Sequence, residues 1–500
     1  MDRSRLPGAR LAARVGVAAL FALLCLVPLG FDFVNPIPVA NPGVGPQPPL
    51  SLSTLLHNHP TVMTPAKFSK EFLQLPTALD GAGTNIALVE ETPQPDYSAS
   101  AMADFDRAFN LPNPDVRVLC ANKCSTNVSS SRSGVETMLD TEWAHVVAPA
   151  AHLAVISWAP ADGAAPLSAM LAKARPNAVA ISYGLSGNLS LVRMRLPFLP
   201  HGASTYAPLA NYPTFVASGD QGAGAALPAM LPWVSAVGGV EYSTSYNKVF
   251  PWPGTGTGSA DLAYAAPFWQ AATQSPWRQI PDISWLAGPP GVAIRANTWI
   301  QLGGTSLAAP LWAALWAIVA QERQRLGERL LTGNAAPYLY ELKAKHPSSF
   351  AVPPGETPAP WHPVVGIGYP EPSALVAAAS SLRPETTIAT SWGIWQLFSV
   401  ISAIAIMGAL LAGITLAIRA RIRRLHAIPA TLRVTVAALC YAALALMLQA
   451  AAPDPALDLG VVAGAGAATL LLVYPYTIAN RRWAIRGGES ARTSSRDVAG

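Results

Sequence analysis

The sequence predicts an α/β domain, a mostly parallel sheet flanked by helices, together with one N-terminal and three C-terminal transmembrane helices. Three observations carry that expectation. Short continuous apolar runs alternate with helix-length segments through the middle of the chain, apolar stretches of membrane-spanning length stand at both ends, and arginines bunch beside those stretches. The 500 residues are 51% hydrophobic and 12% charged, with a mean hydropathy of +0.30, too apolar for an ordinary cytosolic enzyme. The net charge of +5 does not gather into one soluble basic patch, so nucleic acid is not an expected partner.

The first apolar span, 15–31, follows Arg3, Arg5, Arg10 and Arg14 and reads as a signal peptide or a signal anchor, either of which exports the chain behind it. A second span, 395–418, is followed by Arg419, Arg421, Arg423 and Arg424; a third covers 434–452; a fourth, 459–479, ends at Arg481, Arg482 and Arg486. Arginines mark the cytoplasmic side, so residues 33–392 are expected outside the cytoplasm and the tail, 481–500, inside. The expected location is therefore the cell membrane, as a multi-pass protein. The spans contain no Asp, Glu, Lys or Arg, whereas an ion or proton path needs such groups. We read the last three as an anchor or a partner-binding bundle, with lipid and membrane proteins as partners, and Gly408, Gly413, Gly464 and Gly466 allow close helix packing.

Between the spans the order is a proline-rich tether at 33–63, a domain at 64–380 and a linker at 381–394. Strands are expected at Asn85–Val89, His152–Ile156, Ala178–Ser182, Thr214–Ala217 and Trp233–Val237, and helices near 100–110, 135–148 and 166–174. Buried apolar strands alternating with helices argue for a parallel sheet, and in such sheets sites gather at the carboxyl ends of strands. Cys120 and Cys124 lie close together in the exported region, where a disulfide is favoured over free thiols.

The chemistry centres on Gly303-Gly304-Thr305-Ser306, which opens an apolar helix over about 307–324. Ser306 is either an N-cap or a nucleophile aimed along the positive end of a helix dipole. A nucleophilic serine needs a base, yet no histidine sits in a segment suited to that role; His145 and His152 flank an apolar strand start. Carboxylates are available instead. Glu136 and Asp140 stand four residues apart on one helix face, close enough to share a proton. Asp220, in Ser218-Gly219-Asp220, follows a strand and is either a turn residue or a third acid of the site.

In combination these motifs resemble the sedolisin family of serine-carboxyl peptidases, which have a subtilisin-like fold. The similarity covers about residues 64–380: Thr64-Pro65, Leu79-Asp80-Gly81, the Glu136/Asp140 pair before Val147-Ala148-Pro149-Ala150, Ser218-Gly219-Asp220, Val237-Gly238-Gly239, Pro281-Asp282-Ile283, and Gly303-Gly304-Thr305-Ser306 with Pro310. The resemblance implies a peptide or protein substrate, Ser306 as nucleophile, Glu136 as general base, Asp140 as the acid that orients it, and Asp220 as a protonated donor to the oxyanion. An acidic optimum follows, because a carboxyl donates only while protonated. Glu90 matches a further acid of some relatives, and is otherwise a strand-end residue.

Three departures accompany the resemblance. The family's large prodomain has no counterpart in the roughly forty residues between the first span and the domain. The family's calcium site has Ala351 and His362 where carboxylates are needed, so no calcium and no other cofactor is expected. Tyr183 replaces a tryptophan that often follows the strand ending at Ser182. A competing reading is an inactive domain that binds a peptide or a partner within a membrane complex.

Overall fold

The computed structural model describes residues 50–90, 97–121, 132–184, 204–223, 227–260, 264, 266–355 and 360–383. The four apolar spans and Cys124 lie outside these residues, and no described helix is long and apolar enough to cross a membrane.

The central sheet is assembled from β1 (Asn85–Glu90), β2 (Asp115–Cys120), β3 (His152–Ser157), β4 (Ala178–Ile181), β5 (Thr214–Ala217) and β6 (Ser235–Ser243), with β7 (Lys248–Pro251) folded back antiparallel on β6. A short ladder joins β8 (Gly258–Ser259) to β9 (Gln279–Ile280), after which β10 (Ile283–Leu286) returns to the sheet beside β6. The order β10-β6-β5-β4-β1-β3-β2 is parallel throughout. Strands β4, β5 and β10 are buried at every position, as apolar runs covered by helices on both faces must be. Edge strand β2 alternates between exposed and partly buried residues over its first four positions, and the sequence reading did not find it. The register pairs Val89 with Ile181 and Ile181 with Val216. One residue further, Glu90, Ser182 and Ala217 therefore stand in one row at the carboxyl edge.

Before the sheet comes α1 (Leu52–Asn58), capped by the Ser51 hydroxyl. The crossovers carry α2 (Ala99–Phe109), α3 (Arg132–Val147) and α4 (Ala164–Ala174). Ser98 caps α2, and Asn110 ends it in the left-handed conformation, a residue type that tolerates that region. On one face α4 packs Leu167, Met170 and Leu171 against Val89, Ile181 and Val216. Later in the chain α5 (Thr305–Arg325) crosses strands β1, β4, β5, β6 and β10 and packs on α3. Its Trp312 stacks on Phe215 with ring centroids 6.0 Å apart and meets Trp285 edge-on at 5.8 Å. A hairpin, β11 (Val292–Arg295) and β12 (Trp299–Leu302), leads directly into α5.

Two helices, α6 (Ala336–Lys345) and α7 (Pro372–Ser381), and a two-residue ladder of β13 (Phe350–Ala351) with β14 (Tyr369–Pro370) complete the described fold.

The expected tether at 33–63 is corrected at its carboxyl end. Leu55, Val62 and Met63 are buried, Met63 bridges Val292, and Leu50 bonds Thr298. Packed chain thus begins by residue 50, because α1 turns its apolar Leu55 inward.

Candidate active site

The glycines before Ser306 answer to close approach. A Cβ on Gly303 would stand 2.5 Å from the Ala287 carbonyl oxygen, and one on Gly304 would stand 2.5 Å from Asp220 Oδ2. Gly304 also has φ +127°, a region that favours glycine. The helix starts at Thr305, two residues earlier than the expected 307, so Ser306 lies inside the first turn. Its hydroxyl caps nothing: Ser306 Oγ donates to the Ser182 carbonyl at 2.9 Å. In return Ser182 Oγ donates to the Ser306 carbonyl at 3.0 Å. That carbonyl is available because Pro310, four residues on, has no N–H to offer it.

Asp220 lies beside this turn. Its Oδ1 accepts Thr305 N–H at 2.7 Å and Thr305 Oγ1–H at 2.9 Å, while Gly219 N–H donates to Thr305 Oγ1 at 3.0 Å. Burial raises the Asp220 pKa, with the two Thr305 bonds opposing. Both donors serve Oδ1, so a proton on the carboxyl sits on Oδ2, the oxygen over Gly304.

From α3 come Glu136 and Asp140, the second fully buried. Burial pushes the Asp140 pKa well above the carboxylate range, and the charges of Glu90 and Glu136 push it further; a proton shared with Glu90 adds to the rise, while the Ser182 hydroxyl opposes it. Glu90, 2% exposed at the end of β1, is therefore brought to the Glu136/Asp140 pair. Tyr183 packs partly buried against the α4-side core. Cys120 is disulfide-bonded.

Ser182 and Thr305 are the residues that sequence reasoning missed. Both are small hydroxyl residues within a motif already noted, and only their position beside Ser306 and Asp220 separates them from ordinary strand-end and helix-start residues. The opposite side of α3 carries a second acidic group, also missed. Glu142 is fully buried, and its oxygens accept the Arg295 N–H at 2.9 and 3.2 Å. Burial pushes its pKa well up, the Arg295 bond opposes, and the Asp106 charge adds to the rise. Burial also lifts Asp106 to about 7. His145 Nε2 lies 3.5 Å from Asp106 and 2.8 Å from the Pro112 carbonyl, which can only accept, so Nε2 carries a proton. Neither His145 nor His152, which pairs with Asp115 at the amino ends of the strands, belongs to the Ser306 site.

The Ala351 and His362 region tests calcium by its donor set. His362 Nδ1 accepts Val364 N–H at 3.1 Å and Val365 N–H at 3.4 Å, and Ala351 carries no side-chain oxygen. Among the described residues no three His, Cys, Asp or Glu side chains could hold a metal together. Neither Ala351 nor His362 offers a carboxylate to calcium, which wants six to eight oxygens.

The site is thus a helix-start serine beside buried carboxyls at the carboxyl edge of a mostly parallel α/β sheet. No family model matches the chain. Kumamolisin of Bacillus sp. (strain MN-32) is 27% identical over 383 residues, which span 65% of this chain and 66% of that protein, so the chain spans just under two thirds of its relative's length. Among solved structures, Pseudomonas sedolisin, a serine-carboxyl proteinase complexed with two molecules of pseudo-iodotyrostatin, matches with a TM-score of 0.52 and 20% identity, over 63% of this chain and 97% of that one. The chain is thus similar in sequence to kumamolisin and shares the fold of Pseudomonas sedolisin.

Proposed function

We propose that this protein is a serine-carboxyl peptidase that hydrolyses peptide bonds on the extracytoplasmic side of a membrane. The observation that carries the reading is the Asp220 carboxyl set over Gly304, its pKa raised by burial, one residue from the helix turn that bears Ser306. In the proposed sequence Ser306 Oγ bonds to the scissile carbonyl carbon and its proton passes to Glu136. Asp140 holds Glu136 in place. Charge on the carbonyl oxygen is met by the Oδ2 proton of Asp220, an oxyanion donor of the kind that fixed dipoles supply. The proton on Glu136 then passes to the leaving nitrogen as the C–N bond breaks, and water hydrolyses the acyl-enzyme by the same steps.

Membrane attachment rests on the four apolar spans and their flanking arginines, and the absence of calcium rests on the donor set around Ala351 and His362. The second reading, an inactive domain that binds peptides or a partner, is favoured by one observation: the Ser306 hydroxyl donates to Ser182 rather than to a carboxylate.

The test uses the full chain in detergent micelles with an internally quenched peptide library from about pH 3 to 7. Cleavage is expected to be strongest in acid and to be lost in Ser306→Ala and Glu136→Ala. No cleavage by the native sequence across that range, or equal cleavage by the variants, rejects the peptidase reading. Metal analysis of the same sample is expected to find no stoichiometric calcium.

A further inference from the structure

Along one edge of β11, side chains stand in for a neighbouring strand. Its other edge is taken by β12. On the first edge Met63 N–H donates to the Gly291 carbonyl at 2.8 Å, and the Met63 carbonyl accepts the Ala293 N–H at 3.0 Å. Beyond Met63 the bonds pass to α3. The Trp143 indole N–H donates to the Ala293 carbonyl at 3.1 Å, and the Glu142 carboxyl accepts the Arg295 N–H at 2.9 Å on Oε2 and 3.2 Å on Oε1. Glu142 and Trp143 are both fully buried, so bulk water does not compete for these bonds.

Two parts of the site meet through this grip. Glu142 stands about 200° round α3 from Asp140 at 3.6 residues per turn, so the helix that carries Glu136 and Asp140 is held from behind. The hairpin pairs Arg295 with Trp299 and Val292 with Leu302, and Leu302 runs straight into the turn that bears Ser306. That turn has no slack. Gly304 N–H donates to the Ala287 carbonyl at 2.7 Å, and a Cβ on Gly303 or Gly304 would stand 2.5 Å from the Ala287 oxygen or from Asp220 Oδ2. A shift of the hairpin therefore passes to the turn.

We propose that Glu142, with Trp143, is a positioning residue that sets the spacing between Glu136 on α3 and Ser306 on α5 by gripping β11. An acceptor is what the Arg295 N–H requires of Glu142, and a neutral amide oxygen supplies one equally. For catalysis the inference rests on the peptidase reading, whereas the grip itself does not.

The experiment measures amide hydrogen exchange by mass spectrometry in the full chain in detergent, beside peptide cleavage. In Glu142→Ala, exchange is expected to quicken over residues 291–306, the turn at 303–306 included, and to stay native in β5. A general loss of stability would quicken β5 as well. Glu142→Gln should restore native exchange over 291–306. On peptide substrates kcat for Glu142→Ala should fall roughly ten- to a hundredfold, the scale of a displaced reacting group, with KM little changed, and Glu142→Gln should recover it. Trp143→Phe keeps the ring and removes only the donor to Ala293, so it carries the test where Glu142→Ala does not fold; its kcat should fall roughly fivefold, about one hydrogen bond, with the same local exchange. Equal losses in Glu142→Gln and Glu142→Ala, exchange quickened evenly into β5, or exchange unchanged at 303–306 overturn the proposal. Local exchange rescued by Glu142→Gln in a protein that cleaves nothing leaves the grip standing and rejects the peptidase reading. Cleavage with unchanged exchange does the reverse.

Discussion

At the scale of single residues the site is a problem of where protons sit. Asp220 serves as a donor only while protonated, and burial raises its pKa against the two bonds from Thr305. Activity that depends on this proton is present below the folded pKa and lost as pH rises through it. Asp220→Asn replaces a titrating donor with an amide that donates at every pH. Its kcat is expected to fall, but its alkaline limb should flatten, whereas Asp220→Ala, with no donor, should lose roughly a hundred- to a thousandfold in kcat. Rate profiles of the two variants across the acid range check this; an alkaline limb unchanged in Asp220→Asn assigns that limb to another group. Ser306 illustrates how far sequence reaches at this scale. Gly-Thr-Ser before a helix leaves cap and nucleophile open, and the cap is removed only when the helix is seen to start at Thr305 with the Ser306 hydroxyl on Ser182.

At the scale of elements, the Pro281-Asp282-Ile283 motif is structural. Asp282 is fully buried and accepts from Arg278 at 2.5 and 2.7 Å, from Gln270 at 2.8 Å, from Tyr340 at 3.1 Å and from Ala236 N–H at 2.8 Å. It ties β6, β10 and α6 together behind the strands that lead to the site. Removing one member of a buried pair strands the other, so Asp282→Ala is expected to destabilise the domain by about 3–5 kcal/mol, read from chemical denaturation. A loss below about 1 kcal/mol, the range of an exposed pair, would show that water reaches Arg278. The apolar runs at β1, β3, β4 and β5 were legible because strands buried on both faces leave a continuous hydrophobic signature. Strands β2 and β10 were not: β2 is a half-exposed edge, and β10 is four residues within a motif read for its aspartate.

At the scale of the whole molecule, buried acids set the pH range in which the fold is stable. Asp140, Glu142, Asp220 and Asp106 all have pKa values raised, chiefly by burial, Asp106 to about 7. A carboxyl whose folded pKa exceeds its unfolded value of about 4 gives its full stabilisation below about pH 4 and loses it as pH rises through the folded pKa. His145, with a pKa lowered by burial, works the other way as pH falls. With these four acids shifted up, and Glu241 and Glu371 with them, against the lowered His145 and Glu322, the melting temperature is expected to decrease from about pH 4 towards neutrality, and Asp106→Asn should flatten that decline up to about pH 7. A melting temperature that rises with pH across this window would refute the account. Acid stability and the proposed acid-active site then share one cause, carboxyls kept from water. The sequence by itself determined the parallel α/β class, the resemblance to sedolisins, and the order of Glu136, Asp140, Asp220 and Ser306, because apolar runs, glycine turns and motif spacing are local properties of the chain. Only the tertiary structure decided that Ser306 is not a cap, that Glu90 joins the Glu136/Asp140 pair, and that Ser182 and Ser306 exchange two hydrogen bonds. Each of these depends on strands and helices far apart in sequence meeting at one sheet edge, where register and burial, rather than residue type, set what a hydroxyl or a carboxyl does.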